Sequence, residues 1–94
     1  MIKITRAMHR GDCRIELEFS SGDVGQVDLA DLARKTGSMA APLRDPATFG
    51  TFFLELGALA WGNGLELSPE ALYRRAQAAG TLRKGRVGAS RVEP

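Results

Sequence analysis

Cys13 and His9 are the only cysteine and the only histidine in the chain. A lone cysteine excludes an internal disulfide and a thiolate metal cluster, and one of each residue falls short of a zinc ligand set. No apolar run approaches the roughly 20 residues needed to cross a bilayer. The first ten residues, MIKITRAMHR, alternate and lack the continuous apolar core of a signal peptide. These absences predict a cytoplasmic protein with no cofactor and no membrane association.

What is present is ordinary for a globular protein: 44% hydrophobic and 26% charged residues in a chain of 94,. That length predicts one domain with a single core. The net charge of +2 hides an asymmetry. Residues 1–73 carry seven Lys/Arg against ten Asp/Glu, a net of −3, whereas residues 74–94 carry six against one, a net of +5. The expected organisation is a single domain over 1–80 and a basic, flexible tail over 81–94.

Period-two patterns dominate the N-terminal third. Ile2, Ile4 and Met8 fall on one side of a strand, with Lys3 and Thr5 on the other, a period-two pattern interrupted by Arg6. Arg10-Gly11-Asp12 reads as a hairpin turn, with Gly11 and Asp12 taking the unusual backbone angles. In CRIELEF, Cys13, Ile15, Leu17 and Phe19 face inward and Arg14, Glu16 and Glu18 face water. SSGD then leads into a third strand, VGQVDL, which completes an antiparallel meander.

From Asp28 the period changes to that of a helix near 29–35, with Asp28 as a candidate cap. RDPATF supplies Asp45 as N-cap and Pro46 at the first position of a single helical turn ending near Gly50. TFFLEL and ALAW suggest two further strands near 51–62. Ser68-Pro69-Glu70 then opens a helix over 69–79 that stops at Gly80. Leu67 and Leu72 have the spacing of a hydrophobic staple, and Leu72, Ala76 and Ala79 are expected on its buried face. The predicted fold is α+β, a small bent antiparallel sheet with short helices.

The most patterned stretch is WGNGLELSPEALY, Trp61 to Tyr73. Each of its conspicuous residues has an architectural role: Trp61 closes a strand, Gly62-Asn63-Gly64 turns the chain, and Tyr73 covers an edge. The alternative is that Trp61, Asn63 and Tyr73 line a shallow groove for a small molecule or partner. FSSGDVGQVDL (Phe19–Leu29), APLRDPATF (Ala41–Phe49) and WGNGLELSPEALY resemble, in order and spacing over residues 2–73, the signature blocks of a small bacterial family known as domain of unknown function 2442. Gly62 stands where that family usually has Pro, and Glu66 where it usually has Asp. The resemblance implies a small α+β domain with a bent antiparallel sheet. It carries over no catalytic or binding residues, because none are established for the family. Some relatives append a helix-turn-helix, for which residues beyond Gly80 are too few. Others look like one half of a two-gene pair reminiscent of toxin and antitoxin.

Candidate chemistry is sparse. His9 and Cys13 flank one turn but have no third orienting group. The carboxylate pairs Glu16/Glu18 and Asp28/Asp31 belong to a wet strand face and a helix start, not to a cleft that would shift a pKa. GNG lacks the Lys and Ser/Thr of a phosphate loop. The expected function is therefore a non-enzymatic interaction module, antitoxin-like or regulatory, partnered by another protein encoded nearby. Its contacts would come from an exposed sheet edge or from the groove near Trp61 and Tyr73, with the basic tail and its Arg74, Arg75, Arg83, Lys84, Arg86 and Arg91 folding on the partner. The alternatives are weak nucleic-acid binding through Arg74, Arg75, Arg83, Lys84, Arg86 and Arg91, and a small-molecule regulator. With no aromatic residue between those cations, base stacking is not expected. An unpaired edge strand would also permit a homo-oligomer.

Overall fold

Residues 1–34 and 41–84 are described in the computed structural model, and their strands form two three-stranded antiparallel sheets. The first contains β1 (Ile4–His9), β2 (Arg14–Phe19) and β3 (Val24–Asp28) in that order. The second contains β4 (Phe53–Glu55), β5 (Ala58–Ala60) and β6 (Glu66–Leu67). Between them lie a one-turn helix α1 (Ala30–Ala33), a 3-10 turn (Ala41–Arg44) and a second one-turn helix α2 (Pro46–Phe49). The chain then adds α3 (Pro69–Ala79). This is the α+β architecture that the sequence predicts, with a third short strand in the later sheet. Two residues are too few to show a period, so β6 left no signal in the sequence.

Where the sheets meet, the Ile4 N–H donates to the Gly57 carbonyl at 2.9 Å. Beside this junction β1 carries a bulge, its register slipping between Ile4 and Arg6. An extra residue inverts the alternation that follows. Ala7 therefore lies opposite Leu17 and packs on the core, and Met8 lies opposite Glu16 on the outer face. That corrects the inward position expected for Met8. In β2 the alternation holds: Ile15, Leu17 and Phe19 are buried and Arg14 is exposed.

Two hairpins are closed in the same way. Phe19 and Trp61 each accept a turn bond, from Gly22 N–H at 2.8 Å and Gly64 N–H at 3.1 Å. Gly22 (φ 94°) and Gly64 (φ 96°) then adopt left-handed backbone that a side chain would strain,. Strand pairing resumes at once, with Phe19 N–H donating to Asp23 and Trp61 N–H to Leu65. A polar side chain steadies each loop: Ser21 Oγ accepts from Asp23 N–H, and Asn63 Oδ1 from Leu65 N–H. This is the three-residue hairpin that combines a type I turn with a glycine bulge. Both aromatic residues at the turn starts are buried.

The helices are set by their ends. Asp28 Oδ1 accepts from Ala30 N–H at 3.0 Å, and α1 stops after one turn. Arg44 ends it, donating from Nε to the Ala33 carbonyl and from Nη2 to the Arg34 carbonyl. The longer helix expected to residue 35 is thus shortened within the described residues. In α3, Ser68 Oγ caps the Ala71 N–H, and Gly80 (φ 75°) ends the helix with bonds from Gly80 and Thr81 N–H back to Gln77 and Ala76,. Leu72 and Ala76 are buried as expected, but Ala79 is exposed.

The core joins both sheets and all the helices through Ile15, Leu17, Phe19, Leu29, Leu43, Phe49, Leu59, Trp61 and Leu72. Burying each such side chain contributes about 1.5–3 kcal/mol before ordering costs.

Candidate functional site

Trp61 is only 3% exposed, and its indole Nε1–H donates to the Phe49 carbonyl at 3.0 Å. Its ring meets Phe49 at 5.9 Å and Phe52 at 6.3 Å between centroids. His9 completes this cluster, 5.1 Å from Phe49 and 6.3 Å from Phe52. The His9 Nε2 lies 2.8 Å from the Asp12 carbonyl, which can only accept, so the proton sits on Nε2,. His9 is therefore a wall of an aromatic cluster and a brace for its own hairpin. It is not paired with Cys13.

Tyr73 belongs to a different cluster. It stands edge-on to Phe19, 5.1 Å between centroids, and its hydroxyl donates to Asp23 Oδ2 at 2.7 Å. Asp23 is 9% exposed, the polar residue among the buried side chains described. That hydrogen bond, helped by burial and by the Asp23 charge, raises the Tyr73 pKa. Asn63 uses its Oδ1 within the hairpin that follows Trp61. The groove residues of the sequence reading thus sit at three stations. Trp61 and Tyr73 each turn their rings to a separate set of neighbours.

Several ionisable groups are tied to one another. Arg10 pairs with Glu16 at 3.1 Å, Arg6 with Glu18 at 3.9 Å, and Arg14 with Asp12 at 3.7 Å. Arg75 holds Asp31 through two hydrogen bonds, 3.0 and 3.3 Å, and donates to the Asp28 carbonyl at 3.2 Å. The Arg75 hydrogen bonds keep the Asp31 carboxyl below its usual pKa. Burial, then the charges of Asp28 and Asp12, pushes the Cys13 thiol up, away from the thiolate that a nucleophile needs,. Among the described residues no group of three or more His, Cys, Asp or Glu is placed to hold a metal ion. No helix among them is long and apolar enough to cross a membrane.

The basic stretch divides. Arg75 is committed to Asp28 and Asp31, whereas Arg74, Arg83 and Lys84 are exposed. Arg86 and Arg91 lie outside the described residues. The expected flexible tail does not begin at 81. Arg83 pairs with Val24 through two backbone bonds of 2.8 Å, Leu82 packs against the core, and Thr81 Oγ1 bonds Gln26. No hydrophobic period could have revealed this three-residue dock, since only Leu82 is a large apolar residue there.

The β4–β5 hairpin turns through Leu56 (φ 51°) and Gly57 (φ 85°), a two-residue turn whose first position favours Asn, Asp or Gly,. Leu56 is 90% exposed and Phe53, on the same hairpin, 44%. Lys3 packs over Gly57, where a Cβ would come within 2.7 Å of the Lys3 Cβ. With the Ile4–Gly57 bond, that contact clamps the tip against β1. The signal in the sequence was a Leu-Gly turn, LELGAL, where Asn-Gly is usual.

Fold and side-chain placement together define a small α+β domain whose conspicuous residues sit in aromatic clusters, caps and turns. The chain belongs to the family described as "Protein of unknown function (DUF2442)", which matches residues 4–78. No curated protein and no solved structure matches it.

Proposed function

We propose that this domain is a non-enzymatic interaction module, the regulatory or antitoxin-like half of a pair whose other member is the product of a neighbouring gene. The observation that carries this reading is Leu56. A leucine in left-handed backbone incurs steric cost, and its exposure leaves apolar surface in water,. Both costs fall on a hairpin tip that is clamped to β1 rather than loose. Backbone strain is retained at functional positions, and exposed apolar surface marks interaction sites. Phe53, three residues earlier on the same hairpin, is also exposed.

The test is co-expression with the neighbouring gene product, with wild type and Leu56→Asn compared side by side. Asparagine suits the turn, so the variant should unfold at an unchanged or higher urea concentration while capture of the partner falls at least about tenfold, the scale of a central apolar anchor. Equal capture by both forms, or by neither, would contradict the proposal.

A further inference from the structure

Strand β3 is the outer strand of its sheet, and its alternate backbone groups point away from β2. The pairs Phe19–Asp23 and Cys13–Leu29 are hydrogen-bonded across the β2–β3 ladder. By alternation Gly25 and Val27 also bond toward β2, leaving Val24, Gln26 and Asp28 to face outward,. Every one of those three is met by something from the last part of the chain. Val24 exchanges both backbone bonds with Arg83 at 2.8 Å. Gln26 has both groups served by one side chain: the Thr81 hydroxyl donates to its carbonyl at 2.6 Å and accepts from its N–H at 3.1 Å. The Asp28 carbonyl takes a bond from Arg75 at 3.2 Å.

These are substitutes for a strand, not a strand. One backbone bridge, one hydroxyl and one guanidinium stand where a full neighbour would lay continuous ladder bonds. The contact is made close by Gly25, where a Cβ would fall 2.8 Å from the Ala76 Cβ and 3.1 Å from the Leu82 Cδ1. Leu82 is only half-buried, so its hold is moderate.

We propose that Thr81-Leu82-Arg83 is a displaceable plug on the β3 edge, and that its release turns β3 into the strand through which two copies of this chain pair. An uncovered edge is a template for another strand. A second β3 fits it by self-complementarity. With Gln26 at the two-fold axis of an antiparallel pair, Val24 of each copy lies opposite Asp28 of the other, so no like charges oppose,. The ladder formed would replace the Thr81 and Arg83 bonds with backbone bonds on both copies. This device does not depend on whether Leu56 meets a partner.

The test uses the full chain carrying Leu82→Ser, which removes the apolar anchor of the plug. The Val24 and Gln26 amides should lose hydrogen-exchange protection at low concentration, while Gly25 and Val27, bonded to β2, keep theirs. Sedimentation should then show a monomer–dimer equilibrium absent from wild type, with protection returning to Gln26 in the dimer. Adding Gln26→Pro, which removes an outward N–H and no β2 bond, should restore the monomer. Should Gly25 and Val27 lose protection too, Thr81→Val serves in place of Leu82→Ser, with exposure confined to Gln26. Persistent protection of Gln26 in these variants overturns the proposal. So does a chain with both Val24 and Gln26 deprotected that stays monomeric, or a dimer indifferent to Gln26→Pro.

Discussion

At Tyr73 the hydroxyl donates to Asp23, and a carboxylate at 2.7 Å disfavours the phenolate, so the Tyr73 pKa lies above its usual value. A folded-state pKa raised above the unfolded one contributes stability that is complete below the unfolded value, about 10 for tyrosine. It is lost as pH rises through the folded value. Urea midpoints should therefore decline above about pH 10, and Tyr73→Phe should lessen that decline. An identical alkaline slope in the variant would show that the pair is not coupled to folding. Cys13 gives a second residue-level expectation. Its thiol is pushed up by burial and by the Asp28 and Asp12 charges, so alkylation near neutral pH should be slower than for an exposed cysteine peptide,. Reaction faster than the peptide would indicate an activated thiolate, and would reopen the catalytic reading of His9 and Cys13.

The elements show why some features were legible and others were not. Helix α3 was readable because Ser68, Pro69 and Gly80 are separate, mechanistic signals at its two ends, and each does what its chemistry predicts,. The β2 strand was readable because its alternation is unbroken. The β1 facing was not, since the break in alternation at Arg6 marks an irregularity without saying that an extra residue reverses the faces beyond it,. Hairpin β5–β6 adds a prediction drawn from the family pattern. Gly62 occupies the second position of a type I turn, its φ is not left-handed, and a Cβ there would meet open space. Proline suits that position, and Gly62→Pro should raise stability by about 0.4–1 kcal/mol by restricting the unfolded chain. A loss of stability would show that the loop is not the turn described.

On the scale of the whole molecule, the sheet edges govern what the surface can offer. The outer edge of β3 is covered by Thr81, Arg83 and Arg75, and β6 is two residues long and runs directly into the cap of α3. Short and covered edges guard against unwanted pairing. The cover over the β3 edge and the separation of Trp61 from Tyr73 both come from long-range packing. Such packing joins residues some 50 positions apart, as with Tyr73 and Asp23 or Thr81 and Gln26. Local periodicity carries no information at that separation. The class of fold and the caps and turns were legible; the exposed Leu56 and the docked segment after Gly80 needed the assembled chain.

Trp61 is the single tryptophan, so its fluorescence reports on one place alone. If the distinctive side chains of the Trp61–Tyr73 block are there to seal the fold, native emission should be blue-shifted and nearly unquenched by acrylamide. Quenching should then appear only with urea, in step with the loss of secondary structure. Ready quenching of the native protein would instead place the indole in an open groove, and would contradict the account at its centre.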